Sequence, residues 1–160
     1  MQNRAKSKDQ VFGAVNSNLG SLEGAIGGGE FHFTCRDKDG NLKWQDVAKN
    51  MVVTVGLEDM NNQYFTGSGY TPTWYIGLVN AAGFTAYNTG DTLASHAGWA
   101  ETTDYSGSNR VEATFGAATA ASPSVISNSA SQAQFSINGT VTVKGAFLTT
   151  TQNKTTNTGL

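Results

Sequence analysis

The feature that most constrains this chain is a change of apolar period at Gly27-Gly28-Gly29. Before the triplet, Phe12, Val15, Leu19, Leu22 and Ile26 recur at alternating steps of three and four, the spacing of one helix face. After it, Phe31, Phe33 and Cys35 interleave with His32, Thr34 and Arg36, the pattern of a half-buried strand. A switch of period at a glycine hinge predicts two kinds of structure on one chain. We expect an N-terminal arm over 1–29, a β domain over 30–148 and a Thr/Asn-rich tail over 149–160. Asp9 offers an N-cap for a helix over 9–26. Gly13, Gly20 and Gly24 oppose it, each costing ~1 kcal/mol relative to Ala. A helix this short is marginal alone and needs a surface to lie on. That surface is either its own β domain or another subunit. The hinge favours the other subunit, which makes Phe12, Val15, Leu19, Leu22 and Ile26 the candidate partner-binding residues.

The next segment supports a specific derivation. Asp39-Gly40 is a two-residue turn signal. Folding there pairs Cys35 with Trp44, Arg36 with Lys43 and Asp37 with Leu42. One face then carries Phe31, Phe33, Cys35, Leu42 and Trp44, so turn chemistry and face pattern agree. Val53, Leu57 and Met60 sit at helical spacing and predict a short helix over 52–62. Residues 73–79 are apolar almost throughout, as in a central strand buried on both faces. Residues 80–108 read as mostly irregular, and 110–115 as a further strand. Phe135, Ile137, Val141, Val143 and Phe147 are all odd-numbered, which predicts a hairpin with a long loop or bulge near 138–140. The tail beyond 149 could not fold alone and needs a partner or stays mobile.

Composition matters at this point because it fixes the class. Charged residues are 14% and hydrophobic ones 38%, and Gly, Ser, Thr, Asn and Ala make up the difference. Such a polar, weakly charged chain suits strands with many turns. The expected fold is mainly β, an antiparallel β-sandwich (immunoglobulin-like or jelly-roll-like) with an N-terminal arm or short helix. A net charge of −2 with scattered basic residues gives no footprint for nucleic acid. No apolar run reaches membrane-spanning length. The single cysteine, Cys35, excludes an internal disulfide and a multi-cysteine metal site.

The search for chemistry is short. Asp91, His96 and Glu101 lie close in sequence, but their spacing matches no metal motif, and a structural role for this stretch with Trp99 is favoured. His32 and Cys35 are three apart on a strand and so point to opposite faces. Asp37-Lys38-Asp39-Gly40-Asn41 has part of a calcium loop but lacks the third carboxylate and the distant Glu. Tyr64, Tyr70, Trp74 and Tyr75 could form a sugar-binding shelf, although such residues are more often core and rim. We expect no catalytic residues, no cofactor and no metal.

Five stretches together resemble a known family. They are Trp74-Tyr-Ile-Gly-Leu, Asp91-Thr-Leu-Ala-Ser-His-Ala-Gly-Trp-Ala-Glu, Asn128-Ser-Ala-Ser, Phe135-Ser-Ile-Asn-Gly-Thr and Gly145-Ala-Phe-Leu. In that order the chain resembles small virion structural proteins of tailed bacteriophages and prophages, over roughly residues 30–150. The resemblance implies a virion component assembled in the host cytoplasm, and brings no catalytic residues. Two expectations follow. The first is a non-enzymatic capsid decoration or cement protein, with the major capsid protein or further copies of itself as partners. The second is a head-fibre or tail-fibre component that binds host-surface glycans.

Overall fold

The computed structural model describes residues 4–5, 8–18, 28–63, 73–120, 125–154 and 157–158, with the backbone alone for 4–5 and 14–18. The elements run β1 (Arg4–Ala5), β2 (Gln10–Asn18), β3 (Gly29–Arg36), β4 (Leu42–Asn50), α1 (Thr54–Asn61), β5 (Tyr75–Asn80), β6 (Ala100–Glu101), β7 (Val111–Glu112), β8 (Val125–Ser127), β9 (Ala133–Ser136) and β10 (Val141–Thr149). They form two five-stranded antiparallel sheets. One has the order β1-β10-β5-β6, with β7 also on β5, and the other has the order β4-β3-β2-β8, with β9 also on β2. The two sheets enclose a shared core that includes Val11, Phe31, Phe33, Trp44, Ile76, Leu78, Tyr105, Phe135 and Val143. The mainly β, sandwich-like expectation holds, and so does the short helix, which falls inside the expected 52–62 window.

The helix expected over 9–26 is not formed where the chain is described. Residues 10–18 are strand β2, paired with β3 from Gln10↔Arg36 to Ser17↔Gly29 and, on its other edge, with β8 and β9. Val11 is fully buried, and the inward position two residues on is Gly13, over which the Phe135 ring lies. Extended pairing, continuous with β3 along one edge and with β9 and β8 over 10–13 and 16–18 on the other, gives the backbone partners that a lone helix would have to find in its own turns. Phe12 and Val15 therefore belong to a central strand of the second sheet. Gly29 opens β3 and is not part of a hinge. Leu19, Leu22 and Ile26 lie outside the described residues.

The β3–β4 hairpin forms with Cys35 opposite Trp44 as expected, but a bulge puts Arg36 opposite Leu42. The cause is Asp37. Its carboxylate accepts from the backbone N–H of Asp39 and of Asn41 and from the Asn41 amide, which widens the turn beyond two residues. These bonds to its charged form hold the Asp37 carboxyl below the usual carboxylate range, led by the Asn41 side chain. Gly40 takes the positive φ (85°) that the turn requires. Leu42 is thereby displaced from the expected core face and is 52% exposed. Among the described residues β4 is an edge strand, and Asp46 sits at a position whose neighbours Trp44 and Ala48 face inward.

β9 and β10 do not form a hairpin. β9 pairs with β2 in the second sheet, while β10 pairs with β5 in the first, so the connection through Asn138-Gly139 is an arch between sheets. Phe135, Ile137, Val141 and Val143 still share one core, each entering it from its own sheet. A register shift between Val143 and Gly145 then reverses the facing of β10. Beyond it Ala146 and Leu148 pack against the core, and Phe147 lies over Gly77 on the other side. The expected strand over 110–115 is realised only at β7.

The tail is partly docked on the domain. Arg110 N–H donates to the Gln152 carbonyl at 2.7 Å, and its guanidinium reaches the carbonyls of Thr151 and Lys154. The described part of the tail thus finds its partner within its own chain.

Because β2 is central, removal of residues 1–18 from the full chain is expected to abolish cooperative thermal unfolding, read by circular dichroism. An independent arm would instead leave the transition intact.

Candidate functional site

The irregular segment between β5 and β6 is organised around Trp99. Its indole Nε1–H donates to the Asp91 carboxylate at 2.9 Å, and the Asn88 backbone N–H donates to the same oxygen at 2.9 Å. His96 stacks on the indole at 3.9 Å between centroids, and its Nδ1 is 2.9 Å from the Trp99 carbonyl. Phe147 contacts the indole at 5.0 Å, with Tyr87 at 6.4 Å and Phe84 against Tyr87 at 4.8 Å. Between them Thr92 and Ser95 close a tight turn through reciprocal backbone bonds, which buries Leu93. Gly98 is required here, because a Cβ would lie 2.2 Å from the Ala86 carbonyl oxygen.

Glu101 turns away from this cluster. Its carboxylate takes a bidentate pair of bonds from Arg110, at 2.9 Å from Nε and 2.8 Å from Nη2. Both side chains are nearly buried, at 1% exposure for Arg110 and 12% for Glu101. Tyr105 shares this enclosure, and burial pushes its hydroxyl well above the usual phenol range, with the Glu101 charge adding to the effect. Asp91, His96 and Glu101 are thus held to three different tasks. The structure brings the first two together around an indole and commits the third to an ion pair. Among the described residues no group of three His, Cys, Asp or Glu side chains is placed to hold a metal. The Arg110–Glu101 pair had no local signature in the sequence, since it forms only when β6 and the segment before β7 meet.

The other sequence candidates are also placed. His32 faces outward, 3.2 Å from Glu30, while Cys35 is fully buried on the opposite face beside Asp9. Burial first, and the Asp9 charge second, push the Cys35 thiol up to about 11. Trp74 packs against the core and Tyr75 is half-buried in β5, so neither stands free as a shelf. Tyr64 and Tyr70 lie outside the described residues. Phe12 is half-buried on the outward side of β2.

What remains open is an apolar groove of about 390 Å³ between the two sheets and α1. Phe31, Trp74, Trp99, Phe147 and Met60 are among the residues that line it. α1 buries no side chain of its own, and Leu57 and Met60 are 42% and 45% exposed. Its start is tied to the domain by Thr54, whose N–H and hydroxyl both donate to the Thr89 carbonyl. A concavity of this size lined by aromatic and aliphatic side chains suits contact with an apolar surface. Compared with known protein families, curated proteins and solved structures, the chain matches none.

Two expectations follow. Gly98→Ala should cost about 1–3 kcal/mol through forced displacement of the 85–86 backbone, read as a lower denaturation midpoint. Cys35 should not react with a maleimide at pH 8 in the folded protein, and should react once it is unfolded. The linked stability has a definite sign. A thiol with a raised folded value favours folding while it stays protonated in both states. That contribution is lost as pH rises from the ordinary thiol range towards about 11, so the thermal midpoint should fall across that window and recover part of the loss in Cys35→Ala.

Proposed function

We propose that this protein is a non-enzymatic structural component of a tailed-bacteriophage virion, a capsid decoration or cement protein that binds the assembled capsid lattice and stabilises it. The observation that carries this reading is where the family-like stretches meet. Trp74 from the first, Asp91, Leu93 and Trp99 from the second, and Gly145 to Leu148 from the last all line the groove beside α1. The residues that resemble virion proteins thus build an apolar contact face and its rigid backing. A face of this kind, backed by stacked rings and set beside a helix with exposed Leu57 and Met60, suits burial against a protein surface.

Phe12 and Val15 lie in β2, which has strands on both of its edges, so the proposed contact does not rest on them. The proposed contact passes instead to the groove and α1, with the major capsid protein as partner. A lattice presents many equivalent sites, so weak single contacts add up to stable decoration. Preferential binding to the assembled shell then raises the shell's stability by mass action.

The test is made on virions with and without the protein. Capsids that carry it should melt at a higher temperature, in a copy number comparable with that of the capsid subunits. Leu57→Glu, at a solvent-exposed helix position, should leave the thermal midpoint of the free protein unchanged and weaken capsid binding at least about tenfold, given that a charge at a buried apolar contact is left unpaired. Equal melting of the two kinds of virion would overturn the cement reading. A low copy number together with glycan binding would favour the fibre reading instead.

A further inference from the structure

We infer that residues 150–154 form a strap that opens and closes as a unit over the Glu101–Arg110 ion pair while both sheets stay folded. The inference goes beyond the proposed function and does not depend on it.

The strap begins where β10 ends. Thr149 is fully buried, and its hydroxyl accepts from the Thr151 N–H at 3.1 Å, which turns the chain out of the sheet. From there the chain runs beside Asn109 and Arg110, with Asn153 bridged to Asn109. The segment Thr150-Thr-Gln-Asn-Lys154 contains no apolar side chain, and Gln152 and Asn153 are exposed. Its attachment is therefore polar, made by main-chain carbonyls and the Lys154 ammonium, as in segments that open locally.

Arg110 is the centre of that attachment. It gives its backbone N–H to the Gln152 carbonyl, Nη1 to the Thr151 carbonyl at 2.9 Å and Nη2 to the Lys154 carbonyl at 3.5 Å. The guanidinium can aim at these carbonyls because Glu101 fixes it through Nε and Nη2 and Phe147 lies 5.3 Å beneath it. Glu101 is thus a positioning residue that acts on the strap through Arg110. At the far end Lys154 closes the strap. Its ammonium sits 4.0 Å from the Tyr105 ring centre and donates to the carbonyls of Tyr105 (3.0 Å) and Thr103 (3.4 Å). Partial burial lowers its pKa, in keeping with an ammonium drawn in from solvent.

An opening strap leaves the ion pair in place, because Glu101 remains on β6 and Arg110 remains held immediately before β7. Loosening the ion pair, by contrast, lets the guanidinium swing and removes the two side-chain bonds to the strap together.

Hydrogen exchange on the full-length wild-type protein is the first test. The Arg110 amide should exchange more slowly than an unprotected amide but at least about tenfold faster than the buried Ile137 amide, which donates to the Asp9 carbonyl. Equal rates at Arg110 and Ile137 would mean that the strap opens only on global unfolding, and an unprotected Arg110 amide would mean that it is not docked. Either result overturns the inference. The second test is limited trypsinolysis. Glu101→Gln should speed cleavage after Lys154 about tenfold and leave cleavage after Lys49 in β4 unchanged, since cutting tracks the open population. Equal acceleration at both sites would overturn the inference. Should Glu101→Gln fail to fold, the exchange rates of the wild-type protein decide.

Discussion

The fold depends on β2 being threaded between its partners. Its residues Gln10 to Ser17 pair with β3 along one edge, and the other edge takes β9 and then β8. Val11 enters the core with no exposure, opposite Cys35 and Phe135. A strand near the amino terminus therefore joins its sequence neighbour β3 to segments beyond residue 124. Such pairings carry a large loop-closure cost before they return any stability, which is characteristic of β-sandwich topologies.

Strand β10 performs the complementary task in the other sheet. Up to Val143 its alternate residues serve the space between the sheets. After the bulge, Ala146 and Leu148 take over the inward role, and Phe147 passes to the outer side, against Trp99 and over Gly77. One extra residue thus lets a single strand serve both the core and the aromatic cluster that backs the groove. Gly77 completes this device. A Cβ there would lie 2.3 Å from the Phe147 ring, so the ring's seat exists only because the facing residue has no side chain.

What could be read from the sequence divides along the same lines. The β3–β4 hairpin with its Cys35–Trp44 pair, though not the bulge at its turn, the helix near 54–61 and the buried strand at 75–80 were legible because each is decided by neighbouring residues. β2 was not, because one of its inward positions is Gly13, beneath Phe135. Without a side chain there the strand alternation disappears, and the spacing of Phe12 and Val15 mimics a helix. The arch between β9 and β10 was hidden for a different reason. Phe135, Ile137, Val141 and Val143 share a face whether they lie in one sheet or in two that face each other. At the candidate site, the structural role of the Asp91–Trp99 stretch was legible, but the commitment of Glu101 to Arg110 was not. That pair exists only once β6 and β7 have both docked on β5, and the groove only once segments far apart in the chain have met.

Asp46 carries a consequence for the molecule's behaviour in company. Among the described residues β4 has no strand along its outer edge, where alternate residues offer main-chain donors and acceptors, the kind of margin along which copies of a protein zip into ribbons. A carboxylate placed among the inward-facing positions of that border, and accepting the Val47 N–H, would be stranded beneath any newcomer strand. The margin is therefore self-repelling towards its own kind, and crowded copies are steered away from polymerising through it.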